Sequence, residues 1–153
     1  MVDIHHEGIA EAPLSVAYAY VDDPDNVPTW MFGISTFTPV DPATPRGLGA
    51  VYDASFQVKP VKLSSRVEIT GWEQDALIEL TSIKGFKNSS TWRFEADGPE
   101  RTKLSVTFSY ELPGGIAGKA MGKVIEPVIA LTVKQSDANL RKHIAEVYAA
   151  QRG

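Results

Sequence analysis

Cysteine is absent from the 153-residue chain, and basic residues are not in excess. Without cysteine the chain cannot form disulfides, use a catalytic thiolate or hold zinc through sulfur. Fifteen lysines and arginines against nineteen aspartates and glutamates give a net charge of -4, and the basic residues are scattered. Nucleic-acid binding requires a concentrated basic face that neutralises phosphates, so we predict no nucleic-acid partner.

Long apolar runs are also missing. The longest falls far short of the roughly 18–20 residues that cross a bilayer, so stable membrane insertion is not predicted. The first ten residues, MVDIHHEGIA, have neither the basic segment nor the apolar segment of a signal peptide. We therefore expect a cytoplasmic protein. Hydrophobic residues at 43% and charged residues at 22% are typical of a globular domain, and we expect one domain over residues 1–153.

Histidine is scarce, with three in the chain. His5 and His6 are neighbours in a predicted strand and point to opposite faces, so they are poorly placed to chelate one metal ion. We predict no metal site and no cofactor. His6 has the same parity as Ile4 and is expected to face inward. His6 and Tyr110 are the remaining candidates for moving protons, and neither is assigned a catalytic role.

The stretch DDPDNVPTWMFGI, residues 22–34, combines a helix-breaking turn with three large apolar side chains in a row. Its two prolines leave room only for a short helical turn near residues 25–30. Its three aspartates are typical of a turn, where their carboxylates accept backbone hydrogen bonds. Before it, the sequence predicts a strand over residues 2–10 and a helix over residues 13–23.

Residues 34–112 contain six short segments rich in β-branched and aromatic residues, separated by turn residues. This pattern is typical of an antiparallel meander. The last segment has the clearest period, with apolar side chains at every second position from Leu104 to Leu112. One face of the sheet is thus apolar and the other polar, and the apolar face requires a cover.

Residues 116–150 provide that cover. Apolar residues from Ile125 to Val147 follow a spacing of three and four, which places them on one stripe of a helix. Pro127 is the strong helix breaker in this segment, and we expect a kink or a junction with a looser part there. The predicted fold class is α+β.

The segment LPGGIAGKAMGKVIEPVI, residues 112–129, contains four glycines, each of which costs about 0.5–1 kcal/mol inside a helix. Two lysines lie among its apolar residues. One interpretation is a mobile gate, or a surface that contacts a membrane transiently. The other is that the glycines let the helix approach the sheet closely. We favour the gate.

The chain resembles the SRPBCC superfamily, which includes START domains, birch-pollen-allergen-like proteins and the bacterial polyketide cyclase/dehydrase and lipid transport proteins. The resemblance is closest in APLSVAYAYVDDPDNVPTWMFGI, and GLGAVY, TWRFEA and LPGG follow in the same order. It implies a helix-grip fold, a curved seven-stranded antiparallel sheet around a long C-terminal helix, with two short helices after strand 1. It also implies a cavity between sheet and helix, with Trp30 at its end.

Such a cavity would have aromatic walls and would suit a flat or elongated apolar ligand with one or two polar atoms. Trp30 either plugs the core or contacts the ligand, and the aromatic residues could also pack on one another and leave no space. The predicted ligand-binding residues are Trp30, Tyr52, Phe56, Trp92, Phe94, Tyr110, Met121, Ile125 and Ser136. The polar atoms would come from His6, Ser90, Tyr110, Thr132 and Ser136.

Aromatase/cyclases of the family hold a poly-β-keto chain with an arginine, hydroxyl groups and aromatic side chains. Arg66 is the candidate arginine here. Val67 and Ile69 are expected to face inward, which sends Arg66 outward unless a bulge reverses the alternation.

These observations lead to a first hypothesis, the binding or transport of a hydrophobic small molecule that is lipid-like or polyketide-like. The alternative is a polyketide aromatase/cyclase or dehydratase, whose pocket mainly imposes geometry on the substrate. A second alternative is a protein-interaction module without a ligand, as in toxin–antitoxin pairs or assembly factors. A monomer and a homodimer are both compatible with the sequence.

Overall fold

The computed structural model describes residues 2–59, 61–112 and 116–152, and the side chains of the last helix from residue 122 onward. Within these residues the chain forms seven strands, three α-helices and one 3₁₀ turn. The strands are β1 (Val2–Ala10), β2 (Ile34–Pro39), β3 (Val51–Val58), β4 (Val61–Glu73), β5 (Leu77–Gly85), β6 (Asn88–Ala96) and β7 (Thr102–Tyr110). The helices are α1 (Leu14–Asp22), α2 (Val27–Trp30) and α3 (Ile116–Arg152), and the 3₁₀ turn spans Pro24–Asn26.

The strands form one antiparallel sheet in the order β1-β7-β6-β5-β4-β3-β2. The predicted meander therefore runs from β2 to β7, and β1 pairs with the free edge of β7, from Val2 opposite Tyr110 to Ala10 opposite Thr102. With α3 laid against the concave face and two short helices after β1, the helix-grip fold expected from the sequence is confirmed.

β-Bulges between two pairs of strands increase the curvature of the sheet. The register shifts once between β2 and β3 and twice between β4 and β5, and such shifts bend a strand and increase its twist. The inner parity of β4 is nevertheless as predicted, since Leu63, Ser65 and Val67 face the interior. Arg66 faces outward and pairs with Asp53 at 2.8 Å, so the bulge does not bring it inside.

The terminal helix α3 has 37 residues and is about 55 Å long. It continues through Pro127, whose ring lies on the solvent-exposed side. The backbone carbonyl that lacks the proline's N–H as a partner is that of Lys123, also an exposed residue, where water can replace the lost hydrogen bond. The predicted stripe is buried, from Ile125 through Leu140 to Ile144.

The turn between α1 and β2 ties its large apolar side chains to α3. The side chain of Asp23 accepts a hydrogen bond from the Asp25 N–H, which starts the 3₁₀ turn. The Phe32 N–H donates to Ser136 Oγ at 2.9 Å, and Asn139 Nδ2 donates to the Trp30 carbonyl at 3.3 Å. These bonds hold the end of α2 against α3, so that the turn delivers Trp30 to the interior.

Candidate ligand-binding site

An internal cavity of about 170 Å³ separates the concave face of the sheet from α3. Its walls come from β2 to β7 on one side and from the α3 segment Ile129–Ser136 on the other. The end of α1, the 3₁₀ turn and α2 close it at one end. The walls are mostly apolar, as the alternation of the strands predicted.

Five of the predicted ligand-binding residues lie together in this wall: Trp30, Tyr52, Phe56, Trp92 and Ser136. Ser90 and Thr132, which were predicted to supply polar atoms, also lie there. The structure thus brings together residues from α2, β3, β6 and α3 that are up to about a hundred positions apart in the chain.

Three other predicted residues are buried but lie outside the wall. Phe94 packs edge-to-face on Tyr18 of α1, with ring centroids 5.1 Å apart, and α1 fills the space in front of it. Tyr110 lies behind Phe86, and Ile125 lies one helical turn before the first α3 residue of the wall. The periodicity of the sequence correctly predicted that these residues face inward. It does not show where along a strand or helix the cavity begins and ends. The side chain of Met121 lies outside the described residues.

Several wall residues were not predicted from the sequence. Phe37 stacks on Tyr52 with centroids 4.5 Å apart, and Phe86 lies in the turn between β5 and β6. Asn88 begins β6, where its Nδ2 donates to the Phe86 carbonyl at 2.8 Å and to Ser65 Oγ at 3.3 Å. Ile34 and Phe37 are three positions apart, so regular alternation would place them on opposite faces, and the bulge between them brings both to the cavity wall.

Trp30 and Trp92 form a rigid pair in the wall. Their rings meet edge-to-face with centroids 5.1 Å apart, and both are almost fully buried. Trp92 Nε1 donates to Ser90 Oγ, whereas Trp30 Nε1 is buried without a hydrogen-bond partner among the described residues. Trp30 therefore closes the core and borders the cavity at once, so the two expected roles are compatible.

Neutral polar groups are concentrated at a few points of the wall. Ser65, Asn88 and Ser90 come from neighbouring strands, and Thr132 and Ser136 come from α3. Because Thr132 already donates to the Val128 carbonyl and Ser136 accepts from the Phe32 N–H, these hydroxyls are oriented by the protein. Oriented hydroxyl and amide groups can fix one or two polar atoms of an apolar ligand.

The charge of the wall is restricted to one carboxylate. Asp22 is the sole acidic residue among the described lining residues, which include no lysine, arginine or histidine. Its Oδ1 accepts a hydrogen bond from Trp72 Nε1 at 2.9 Å. Burial, and then the charge of Asp22, raise the pKa of the Tyr52 phenol to about 12. Tyr52 is thus a neutral hydrogen-bonding group at ordinary pH, and its hydroxyl donates to the Pro45 carbonyl at 2.6 Å.

The two candidates for moving protons lie away from the cavity wall. His6 is opposite Val106 on the inner face of β1, and His5 on the outer face bonds Thr107 Oγ1, so the two imidazoles diverge as predicted. The Tyr110 hydroxyl is buried without a partner among the described residues, and burial raises the pKa of its phenol. Within the described residues no three metal-ligating side chains lie close enough together to hold an ion.

None of the helices in the described part of the chain is both long and apolar enough to cross a bilayer.

Comparison with known proteins identifies a family. Residues 1–145 match the family described as polyketide cyclase/dehydrase and lipid transport. A separate comparison with individual curated proteins found no match.

Solved structures with the same fold come from several bacteria. TTHA0849 from Thermus thermophilus is 19% identical, with a TM-score of 0.81 over 95% of this chain and 99% of that one. The ZhuI aromatase/cyclase from Streptomyces sp. R1128 is 12% identical, with a TM-score of 0.72 over 99% and 96%. A START superfamily protein from Mycobacterium smegmatis is 17% identical, with a TM-score of 0.60 over 89% and 98%. At these identities the likeness shows the fold alone.

Proposed function

Because the chain belongs to the polyketide cyclase/dehydrase and lipid transport family, we propose that it binds a compact hydrophobic molecule, lipid-like or polyketide-like, in the cavity beneath α3 without converting it. The observation that carries this proposal is an apolar internal space bordered by rigid aromatic side chains. Such a lining favours binding, because apolar ligand surface leaves water and the few oriented polar groups fix its orientation.

The volume of the cavity favours a small ligand. An apolar protein cavity of roughly 150 Å³ accommodates a benzene ring. Pockets that enclose drug-sized molecules measure roughly 300–1,000 Å³. At about 170 Å³ the present cavity suits one ring with a short substituent, and an extended poly-β-keto chain would require the walls to move apart.

The placement of the titratable groups favours binding over catalysis. A cyclase or dehydratase moves protons with groups within hydrogen-bond reach of the substrate. His6 and Tyr110, the two candidates, are not among the residues that line the cavity. Apart from the Asp22 carboxylate, the polar side chains that border the space are neutral hydroxyl, amide and indole groups, which orient a ligand but are poor acids and bases at neutral pH.

A ligand titration tests the proposal. 3-Phenylpropan-1-ol, one ring with a short polar chain, is added to the protein while tryptophan fluorescence and amide NMR shifts are recorded. We expect saturable binding, quenching of Trp30 and Trp92, and shifts confined to residues around the cavity. Mass spectrometry of the mixture after incubation should recover the alcohol unchanged.

Two leucine substitutions locate the binding. Ala54 borders the cavity on β3, whereas Ala138 is exposed on α3. Ala54→Leu should weaken binding of the alcohol at least about tenfold because the added methyl groups occupy the ligand's space, and Ala138→Leu should leave binding unchanged. Equal affinities in both variants, or no saturable binding to the wild-type protein, would refute the proposal.

A further inference from the structure

Asp22 is a carboxylate in a wall that is otherwise uncharged within the described residues. Its Oδ1 is fixed by the indole N–H of Trp72 at 2.9 Å, and the side chain is only partly buried. Oδ2 takes part in no hydrogen bond with another described residue. The carboxylate is thus anchored through one oxygen, and the other oxygen keeps its lone pairs available in a residue that borders the apolar space.

The position of Asp22 in α1 is unfavourable for the helix. Asp22 is the last residue of α1, where the backbone carbonyls give the helix end a partial negative charge, and α1 has no basic residue in its last turn. A carboxylate at a helix C-terminus is repelled by that charge. The turn hydrogen bond expected of an aspartate in this stretch is made by the neighbouring Asp23 instead. The stability of α1 itself therefore does not explain an acid at position 22, and the Asp22 contact outside the helix is the hydrogen bond from Trp72.

Other charges strengthen the negative potential at this end of the cavity. Burial raises the pKa of the Tyr18 phenol, and the negative charges of Asp22, Asp75 and Glu73 raise it further. The opposing charge is Arg46, which lies 3.8 Å from an oxygen of Asp23. Carboxylates from the end of α1, from Asp23 after it, and from the end of β4 and the β4–β5 connection thus lie at this end of the cavity, opposed by the half-exposed guanidinium of Arg46.

Aromatic rings surround the same carboxylate. Trp72, which holds Asp22, meets Tyr18 edge-to-face with centroids 6.1 Å apart. On the cavity side, Tyr52 and Phe37 present a stacked pair of rings. The faces of aromatic rings carry negative potential and attract organic cations, and more so where water is partly excluded.

From this arrangement we infer that the ligand carries a protonated amine on its apolar body, and that Asp22 binds the amine while the aromatic walls bind the body. The inference rests on the proposed function, because it assigns the chemical class of the molecule held in that cavity. A ligand with a carboxylate in the same place would meet repulsion from Asp22 and its acidic neighbours. The cavity is thus selective for amines over fatty acids and other organic anions.

Three probes that differ only in their terminal group test this selectivity. 3-Phenylpropylamine, 3-phenylpropan-1-ol and 3-phenylpropionate have the same ring and chain but end in an ammonium, a hydroxyl and a carboxylate at pH 7. We expect the amine to bind about fivefold to tenfold more tightly than the alcohol, as a partly exposed charge pair permits. The carboxylate should bind more weakly than the alcohol. Calorimetry or amide NMR shifts give all three affinities.

Asp22→Asn is the decisive variant, because an asparagine oxygen can still accept the hydrogen bond from Trp72. In this variant the amine should lose its advantage over the alcohol, while the affinity of the alcohol stays within about twofold. Asp25→Asn is the matched control, since Asp25 is exposed, lies outside the cavity wall and changes the net charge equally. The amine should keep its advantage in this control.

The outcomes separate the inference from the proposed function. If the alcohol binds and the amine has no advantage, or keeps its advantage in Asp22→Asn, the inference about Asp22 is overturned and the binding function stands. If none of the three probes binds to the wild-type protein, the proposed function fails, and the inference fails with it.

Discussion

The concave face of the sheet packs directly against α3 near β1 and is separated from α3 by the cavity over the other strands. We call these two regions the filled side and the hollow side. Near β1, α3 packs directly against the strand, and Leu140 and Ile144 are completely buried. From β2 to β7, the preceding segment of the same helix, Ile129–Ser136, lies across a cavity of about 170 Å³. One helix therefore contacts one sheet in two ways, and the difference lies in the side chains between them.

The filled side is built from small residues. Gly8 faces α3 so closely that a methyl group there would contact the guanidinium of Arg141 at 2.9 Å, and Ala10, Ala12 and Ala17 are fully buried. The hollow side is built from aromatic residues such as Trp30 and Trp92, which brace one another at the cavity's end. Small residues let the backbones of α3 and the sheet approach each other. Large aromatic rings keep the helix and the sheet farther apart and leave space between them.

The two sides should respond differently to the loss of a leucine side chain. Leu140→Ala on the filled side should destabilise the protein by about 3–5 kcal/mol, because it opens a new cavity among tightly packed neighbours. Leu80→Ala in the cavity wall should cost only about 1–2 kcal/mol, because that side chain already has few contacts on its inner side. Denaturant unfolding measures both free energies. Similar losses in the two variants would remove the distinction between the sides.

The filled side also contains an ion pair whose carboxylate is buried and whose guanidinium is partly exposed. Arg141 bonds Asp137 Oδ2 at 2.9 and 3.1 Å, and the Asp137 side chain is only 4% exposed. Removing Arg141 leaves that carboxylate buried and uncompensated, so Arg141→Ala should cost about 3 kcal/mol. The pair of Arg66 and Asp53 is exposed on the outer face of the sheet, and Arg66→Ala should have little effect on stability because water replaces the lost contacts. Equal costs would mean that Asp137 gains water when Arg141 is removed.

Added volume should again destabilise the filled side more than the hollow side. Ala17→Leu on the filled side should destabilise by about 1–3 kcal/mol, because the extra methyl groups have no space. Ala54→Leu in the cavity wall should leave stability unchanged or raise it by up to about 1 kcal/mol, because it fills empty space. Thermal unfolding of both variants checks this. A destabilisation of Ala54→Leu as large as that of Ala17→Leu would indicate that the cavity closes in solution.

The smallest expected effect is on the pH dependence of stability. The pKa of Tyr52 rises from 10.0 to about 12 on folding, chiefly through burial. The folded state therefore holds the proton more tightly, and this contribution is complete below pH 10 and lost as the pH rises towards 12. Tyr52→Phe should unfold with a shallower loss of stability in that range. If the free energy of unfolding fell equally steeply with pH in Tyr52→Phe and in the wild-type protein, Tyr52 would be as hydrated in the folded state as in the unfolded one.

The fold was largely predictable from the sequence because periodicity reports directly on which face is buried. The strand parity in β4 predicted correctly that Ser65 and Val67 face inward and that Arg66 faces outward. The long helix was predicted from its stripe, and the structure shows that Pro127 does not interrupt it because its ring lies on the exposed side.

The site was predictable only in part. Tyr52 and Trp92 were placed at the cavity because they are aromatic and lie on the inner face of the sheet, and Trp30 through the resemblance of its turn to the family; all three border the cavity. Phe94 has the same parity as Trp92, but α1 covers it, and where a cover ends depends on contacts between elements distant in the chain. The sequence interpretation treated Asp22 as a turn residue, because a short-range pattern does not show that it borders the cavity or that its carboxylate accepts a hydrogen bond from Trp72, fifty residues later.

Xenon binding tests most directly whether the space between α3 and the sheet is empty and apolar. Xenon enters dry apolar cavities of this size, and its atoms scatter X-rays strongly in crystals kept under xenon pressure. The account predicts xenon between the Trp30–Trp92 pair and the inner faces of β3 to β5, none beside Leu140, and loss of the site in Ala54→Leu. Crystals of the wild-type protein without xenon in that space would contradict it.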